Sequence, residues 1–316
     1  MTDQSSQFAL SPEEITRILF THLLGRQPEA SVMQYIPQLM RERGDVSFAI
    51  KGVLESDEFK LRNPREAMAM RALSQLQRMP RIVDVGAQTL GAGSHAYNAL
   101  MEFCPVEVIG FDPLQERLEE RLESEGRDNI TLLPYALGDG LTHTLYVNNV
   151  DATSSLYPLF KEGNDRFPLL APLETVRTET VDTRRLDAVI SHQQVDFLKL
   201  DVQGGELLVL QHATEVLKKT AVVQCEVEFT PIYRGQPLFG EIATFLAQHG
   251  FYFLDFNFLG HYAHRNDSGF SNNDRLMWAD AVFLRESDDS DMRAAQALCA
   301  TLIYNKLSLA AYLLRQ

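Results

Sequence analysis

The chain has 316 residues, 45% of them hydrophobic, and sets 29 basic against 43 acidic side chains for a formal net charge of −14. That is apolar material for one large domain and a smaller one, and so acidic a surface argues against nucleic acid or an anionic membrane as partner. No uncharged apolar run approaches the ~18 residues of a membrane span, the first residues lack a signal-peptide pattern, and Cys104, Cys225 and Cys299 form no Cys-x-x-Cys pair, so a cytoplasmic protein with reduced core thiols is expected.

Ser11-Pro12-Glu13-Glu14 combines an N-cap, a first-turn proline and a capping-box glutamate. It opens a helix whose apolar face, with Ile15, Ile18, Leu19 and Leu23, runs to Gly25. Further helices are expected over 31–43, stopped by Gly44, and over 46–55. Asn63-Pro64 marks a boundary, and 65–78 reads as a connecting helix. The expected division is a helical module over residues 1–75 and a second domain over 76–316.

From Arg81 short apolar runs alternate with helical patterns. Strands are expected over 82–85, 106–111, 130–133, 197–200, 222–227, 251–254 and 281–284, and helices over 94–103, 114–125, 186–192, 206–217 and 239–249. This α/β alternation implies a mostly parallel sheet with helices on both faces. The last two strands flank a long polar loop and are expected as an antiparallel edge pair. Residues 292–314 read as one terminal helix.

The chemistry begins at residues 81–93, Arg-Ile-Val-Asp-Val-Gly-Ala-Gln-Thr-Leu-Gly-Ala-Gly, and continues at Val-Ile-Gly-Phe-Asp-Pro over 108–113. An apolar run ends in Asp84 and a glycine turn, and a second ends in Asp112. Together they read as the opening β-α-β unit of a nucleotide-type binding fold. Gly86, Gly91 and Gly93 do not supply the dinucleotide spacing, which disfavours a nicotinamide-dependent oxidoreductase. Ala92 stands where a phosphate loop needs lysine, and no basic residue lies between Asp84 and Ser94. A ligand with a ribose and no phosphate fits better, and S-adenosyl-L-methionine is the common one. The plain alternative is a glycine turn that binds nothing.

Further segments follow in order: Tyr135-Ala136-Leu137-Gly138-Asp139, Thr180-Val181-Asp182-Thr183, residues 196–206 (Asp-Phe-Leu-Lys-Leu-Asp-Val-Gln-Gly-Gly-Glu), Gln224-Cys225-Glu226-Val227-Glu228, and Trp278-Ala279-Asp280. This series resembles the FkbM family of S-adenosylmethionine-dependent methyltransferases over residues 82–285, most specifically at 196–206. The resemblance implies a class I methyltransferase, Rossmann-like fold and O-methylation of a sugar, glycan or natural-product hydroxyl. Two positions depart from the family pattern. Leu90 stands where the last glycine of the first turn is expected, and Asp112 replaces the usual glutamate. The N-terminal helices, through residues 23–28 and 54–59, resemble a small module found beside glycan-modifying and secreted bacterial proteins; a cap on the catalytic domain is the simpler reading, and a protein partner or second copy of the chain the other.

Strand carboxyl ends converge where such folds bind ligands. On the resemblance, Asp84, Gly86, Ala87 and Gly91 meet the methionine portion, the acid anchoring its ammonium group. Asp112, beside Pro113, accepts from the ribose hydroxyls. Ala136 and Asp139 meet the adenine. Asp201 is the first candidate for the base or acceptor anchor, with an equal alternative as a capping or structural carboxylate. Glu226 and Glu228 share one strand face and follow as catalytic candidates. Glu206 reads as a helix N-terminal acid. His261 and His264 read as a solvated loop pair rather than metal ligands, and no metal site is assigned. Ser154-Ser155-Leu156 resembles a family segment lying over the cofactor. The competing class is a catalytically degraded methyltransferase fold that serves as an interaction protein.

Overall fold

The computed structural model describes residues 10–87, 95–126, 128–190 and 193–315. They fall into two compact units, one ending at Arg71 and one beginning at Ala72. Among the described residues no helix is long and apolar enough to cross a membrane.

In the first unit Ser11 caps helix Pro12–Ile18. Its hydroxyl accepts the Glu14 N–H at 3.2 Å, and the Glu14 carboxylate accepts the Ser11 N–H at 2.7 Å. A π-helical turn, Leu19–Leu23, extends it, and helices Ala30–Arg43 and Ser47–Glu55 follow. Ser56 opens a further helix, Asp57–Arg62, by accepting the Phe59 N–H at 3.1 Å. Leu19, Leu24, Met40, Ala49, Val53 and Phe59 form the core. Helix Pro64–Leu76 carries the chain into the next unit.

Among its described residues the second unit holds ten strands: β1 (Arg81–Val85), β2 (Glu107–Phe111), β3 (Ile130–Leu133), β4 (Ala136–Leu137), β5 (Thr142–Asn148), β6 (Thr175–Arg184), β7 (Val195–Leu200), β8 (Thr220–Glu228), β9 (Phe251–Tyr262) and β10 (Arg275–Arg285). Seven make one sheet in the order β3-β2-β1-β7-β8-β10-β9. The first five run parallel, and β10 lies antiparallel to both β8 and β9, as the expected edge pair. Strands buried on both faces need near-continuous apolar sequence, and the charged residues inside β1 and β7 are each met by opposite charge. Asp196, for one, receives both Arg78 terminal nitrogens at 2.7 Å and the Arg81 N–H at 2.7 Å.

The two sheet faces differ. On one, Val83, Leu198, Val223 and Cys225 pack with Ile242 and Leu246 of helix Phe239–Gln248. The other is covered by helix Ser290–Leu302, whose Gln296 amide donates to the Ala221 carbonyl at 3.1 Å. Past that helix, toward the strand carboxyl ends, this second face opens into a cavity.

Several expectations are corrected. The region expected as helix 206–217 is two helices, Glu206–Gln211 and Thr214–Leu217. The terminal helix also breaks, into Ser290–Leu302 and Leu307–Leu313, around Asn305 in the left-handed region at φ 51°. Of the helix expected over 94–103, Asn98–Phe103 is present, and Ser94 lies outside the described residues. β4, β6 and β5 form a second, three-stranded sheet that was not anticipated. β6 reads Thr-Val-Arg-Thr-Glu-Thr-Val-Asp-Thr-Arg and is mostly exposed, so it lacks the apolar signal that marks a buried strand.

Candidate functional site

The cavity encloses about 650 Å³ above the carboxyl ends of β1, β2, β7 and β8. Gly86 follows β1 at φ 81°, and a Cβ there would lie 1.9 Å from the Asp201 carbonyl oxygen. Only glycine lets the first turn pass so close to the end of β7. The Gly86 and Ala87 N–H groups donate to the Phe111 carbonyl at 2.9 and 3.0 Å, which ties this turn to β2. Gly91 lies outside the described residues.

Asp84 does not line the cavity. Its fully buried carboxylate accepts from Tyr97 Oη at 2.6 Å and Arg121 Nη1 at 3.0 Å, with Lys199 Nζ at 3.3 Å. Burial opposes its charge, but Lys199 and Arg121 outweigh burial and hold its pKa below the ordinary value. An ammonium group expected at Asp84 finds two cations already there. Arg121, wholly buried on helix Gln115–Glu125, also donates to the Ala87 carbonyl at 2.8 Å and so fixes the glycine turn from behind.

Asp112 does line the cavity, with Pro113 beside it. Its Oδ1 accepts the Leu114 N–H at 2.9 Å. Burial, with Asp84 and Asp201 adding, pushes its pKa up to about 6 against the pull of that hydrogen bond and of Lys199. Ala136 lines the wall, whereas Asp139 does not. The Asp139 carboxylate folds onto its own turn, meeting the Leu141 N–H at 2.9 Å, His143 Nε2 at 2.8 Å and Thr183 Oγ1 at 3.2 Å. Burial opposes, yet His143 and these donors hold its pKa down to about 2.

At the other end, Asp201, Glu226 and Glu228 all face the cavity. Asp201 Oδ2 lies 3.5 Å from Lys199 Nζ. Gln203 Nε2 donates to Asp201 Oδ1 at 3.0 Å and to Glu226 Oε2 at 2.6 Å, while its Oε1 accepts from Tyr233 Oη at 2.9 Å. Burial first, then the neighbouring carboxylates, raises Glu226 well above the ordinary range. Glu228 is pushed up to about 7 by burial, with Asp201 adding and the nearby Gln236 amide opposing. Lys199 stays charged, because Asp84 and Asp201 outweigh its burial. Glu206 starts its helix and accepts the Val202 N–H at 2.8 Å, closing the loop that carries Gln203. Ser155 Oγ donates to the Gln203 carbonyl at 2.6 Å. Among the described residues no group of three or more His, Cys, Asp and Glu is arranged to hold a metal ion.

The sequence reading missed Gln203, Lys199, Trp278 and Asp280 as cavity residues. Asp280 pairs across the sheet with Glu226, and Trp278 with Glu228. The i, i+2 spacing of Trp278 and Asp280 is a same-face signal, but only the β8–β10 register reveals which face.

Residues 84–253 match the family model described as the methyltransferase FkbM domain. No curated protein matches the chain. Solved structures similar to it include the 1,6-didemethyltoxoflavin-N1-methyltransferase of Burkholderia thailandensis, 13% identical over 83% of this chain and 93% of that one at a TM-score of 0.30. Others are the precorrin-6y C5,15-methyltransferase of Geobacter metallireducens, 11% identical over 70% and 89% at 0.32, and an S-adenosylmethionine-dependent methyltransferase of Anabaena variabilis, 15% identical over 72% and 90% at 0.32. With more than half of its length matched by the family model, and with a parallel sheet opening on a glycine turn and an acid-ended second strand, the chain belongs to the FkbM family of S-adenosyl-L-methionine-dependent methyltransferases.

Proposed function

We propose that this chain transfers the methyl group to a hydroxyl of a sugar, glycan or natural product. The observation that carries the reading is the Asp201–Gln203–Glu226 linkage, two carboxylates joined through one amide at the ends of neighbouring parallel strands and facing the cavity. In-line transfer to a hydroxyl needs an acceptor held in line and relieved of its proton. The cofactor, when bound, supplies a methyl group already activated on a positively charged sulfur.

The residues present fit that cofactor. The bare Gly86 backbone leaves room that a side chain would fill, and Asp112 offers an acid suited to ribose hydroxyls. Gly86, Pro113 and Ala136 would flank the cofactor. Asp84 serves from behind, by holding Lys199 and Arg121. Asp201 takes the acceptor proton, with the Lys199 ammonium compensating its charge. Glu226 and Glu228, both driven toward their protonated forms, are suited to orient the acceptor.

Calorimetry tests the cofactor half. S-adenosylhomocysteine is expected to bind at about −7 to −8 kcal/mol, and NAD not at all. Asp112→Ala should weaken that binding by about 1–3 kcal/mol, the scale for losing charge-assisted hydrogen bonds. Unchanged affinity would remove Asp112 from the site. For the acceptor half, labelled methyl should appear on oxygen when sugar and polyketide alcohols are screened. Label recovered only on nitrogen or carbon sinks the hydroxyl reading.

A further inference from the structure

Three strands build the far wall of the cavity in two rows. Glu226, Asp280 and Phe258 stand side by side across β8, β10 and β9, and Glu228, Trp278 and Gly260 form the next row. Phe258, Trp278 and Asp280 lie outside the span matched by the family model. Glu226 and Asp280 are therefore two acids directly opposite each other, an arrangement that destabilises a sheet whenever both are ionised. Lys199 is the only lysine or arginine among the described residues lining the cavity, and Asp84 and Asp201 already flank it. Glu228 is 1% exposed and lines the cavity, and its Oε2 has no hydrogen-bond partner among the described residues, nor has the Nε2 of the nearby Gln236 amide. A buried carboxylate oxygen without a partner is costly.

The aromatic part of the wall is also built. A Cβ on Gly260 would lie 2.3 Å from Trp278 Nε1, so the missing side chain leaves the place the indole occupies. Trp278 Nε1 donates to Tyr262 Oη at 3.1 Å, and the Phe258 ring stands 5.1 Å from the indole. Carboxylates beside an aromatic face are what a substrate ammonium group recognises.

Resting on the hydroxyl-methylation reading, we propose that the acceptor carries a protonated amine next to the hydroxyl it offers, as an amino sugar does, and that Glu228 and Asp280 pair with this ammonium against Trp278. A neutral sugar would stack on Trp278 but leave the excess of acids uncompensated. The cofactor's own sulfonium is the competing cation, and the experiment separates the two.

Trp278 is the chain's single tryptophan, so its fluorescence reports on this wall alone. Calorimetry of S-adenosylhomocysteine comes first. Its failure to bind overturns the cofactor placement and this inference together. With that product saturating, the full chain is titrated with glucosamine, N-acetylglucosamine and glucose. Glucosamine should change Trp278 emission saturably at tenfold or more lower concentration than either neutral sugar. Asp280→Asn and Glu228→Gln, each nearly isosteric, should erase that ratio while product affinity stays within about twofold, which also confirms folding. Equal responses to the three sugars, or none from any, overturn the inference alone. It is also overturned if the two variants weaken S-adenosylmethionine but not S-adenosylhomocysteine, since the acids would then serve the sulfonium.

Discussion

Gln203 is the side chain on which the geometry of the site turns. It sits in the left-handed region at φ 56°, uncommon for a residue with a Cβ, and its one amide binds two carboxylates and a tyrosine hydroxyl. If Asp201 is the base, Asp201→Asn keeps the shape and part of the hydrogen bonding but removes basicity. Turnover with the true acceptor should then fall by about 10²–10⁴-fold, the usual contribution of a positioned base. Affinity for S-adenosylhomocysteine should change by less than about tenfold, or ~1.4 kcal/mol. Normal turnover would pass the role to Glu226 or Glu228. The acids at strand ends were legible from the sequence because parallel strands end on one edge, and Asp112, Asp201, Glu226 and Glu228 do face the cavity. Asp84 and Asp139 also lie near strand ends, yet their carboxylates are taken up by Arg121 and Lys199 in one case and His143 in the other. Those partners come from other elements or from a local turn, and no spacing in the sequence announces them.

At the scale of elements, the close pass of the first turn over the end of β7 sets where the cavity opens. Gly86→Ala puts a methyl group 1.9 Å from the Asp201 carbonyl oxygen in a backbone conformation that already disfavours a side chain. The conformation alone costs about 1–2 kcal/mol, and the collision must also push β1 and β7 apart. Binding of S-adenosylhomocysteine should drop more than tenfold, with a lower unfolding midpoint in urea. Wild-type affinity in this variant would mean that the turn does not shape the cofactor end. Strands β1, β2, β7, β8 and the second half of β10 were legible because burial on both faces demands apolar runs bounded by turn residues, and the more exposed β3 and β9 still begin on short apolar runs. β5 and β6 were not, since a small exposed sheet needs only hydrogen-bonded polar residues. The breaks within the expected helices 206–217 and 292–314 were hidden for a different reason: the apolar pattern persists across them while the backbone turns, at Asn305 through a left-handed residue.

Over the whole molecule, acids buried on one side of the sheet predict an unusual dependence of stability on pH. Asp112 and Asp280 are raised to about 6 and Glu228 to about 7, each chiefly by burial, with Asp201 adding and Lys199 pulling Asp112 and Asp280 back. Glu226 and Glu206 are raised by the same burial and by the neighbouring carboxylates Asp201 and Glu228. A carboxyl whose folded pKa exceeds its unfolded value holds more protons in the folded state between the two, so stability is lost as pH rises through that window. For Asp112, Asp280 and Glu228 the window opens near the ordinary carboxyl values of about 4 and closes near about 7. Asp84 and Asp139 act in the opposite sense. Their lowered values stabilise the fold above the ordinary range, and that contribution disappears as pH falls through their folded pKa values. The cofactor-free chain should therefore be most stable near pH ~5 and weaken toward pH ~7.5, whereas many proteins hold a plateau across that range. At about 1.4 kcal/mol per pKa unit, discounted for partial exposure, Asp280 contributes on the order of 1–2 kcal/mol of the decline. Asp280→Asn should flatten the profile by that amount, because the amide has no proton to lose. Urea melts across this range, with and without the substitution, measure it directly. A wild-type profile that rises from pH ~5 to ~7.5 would mean that the carboxylates of this wall are already compensated in the folded chain, and that the cost of burying them is met without a bound cation.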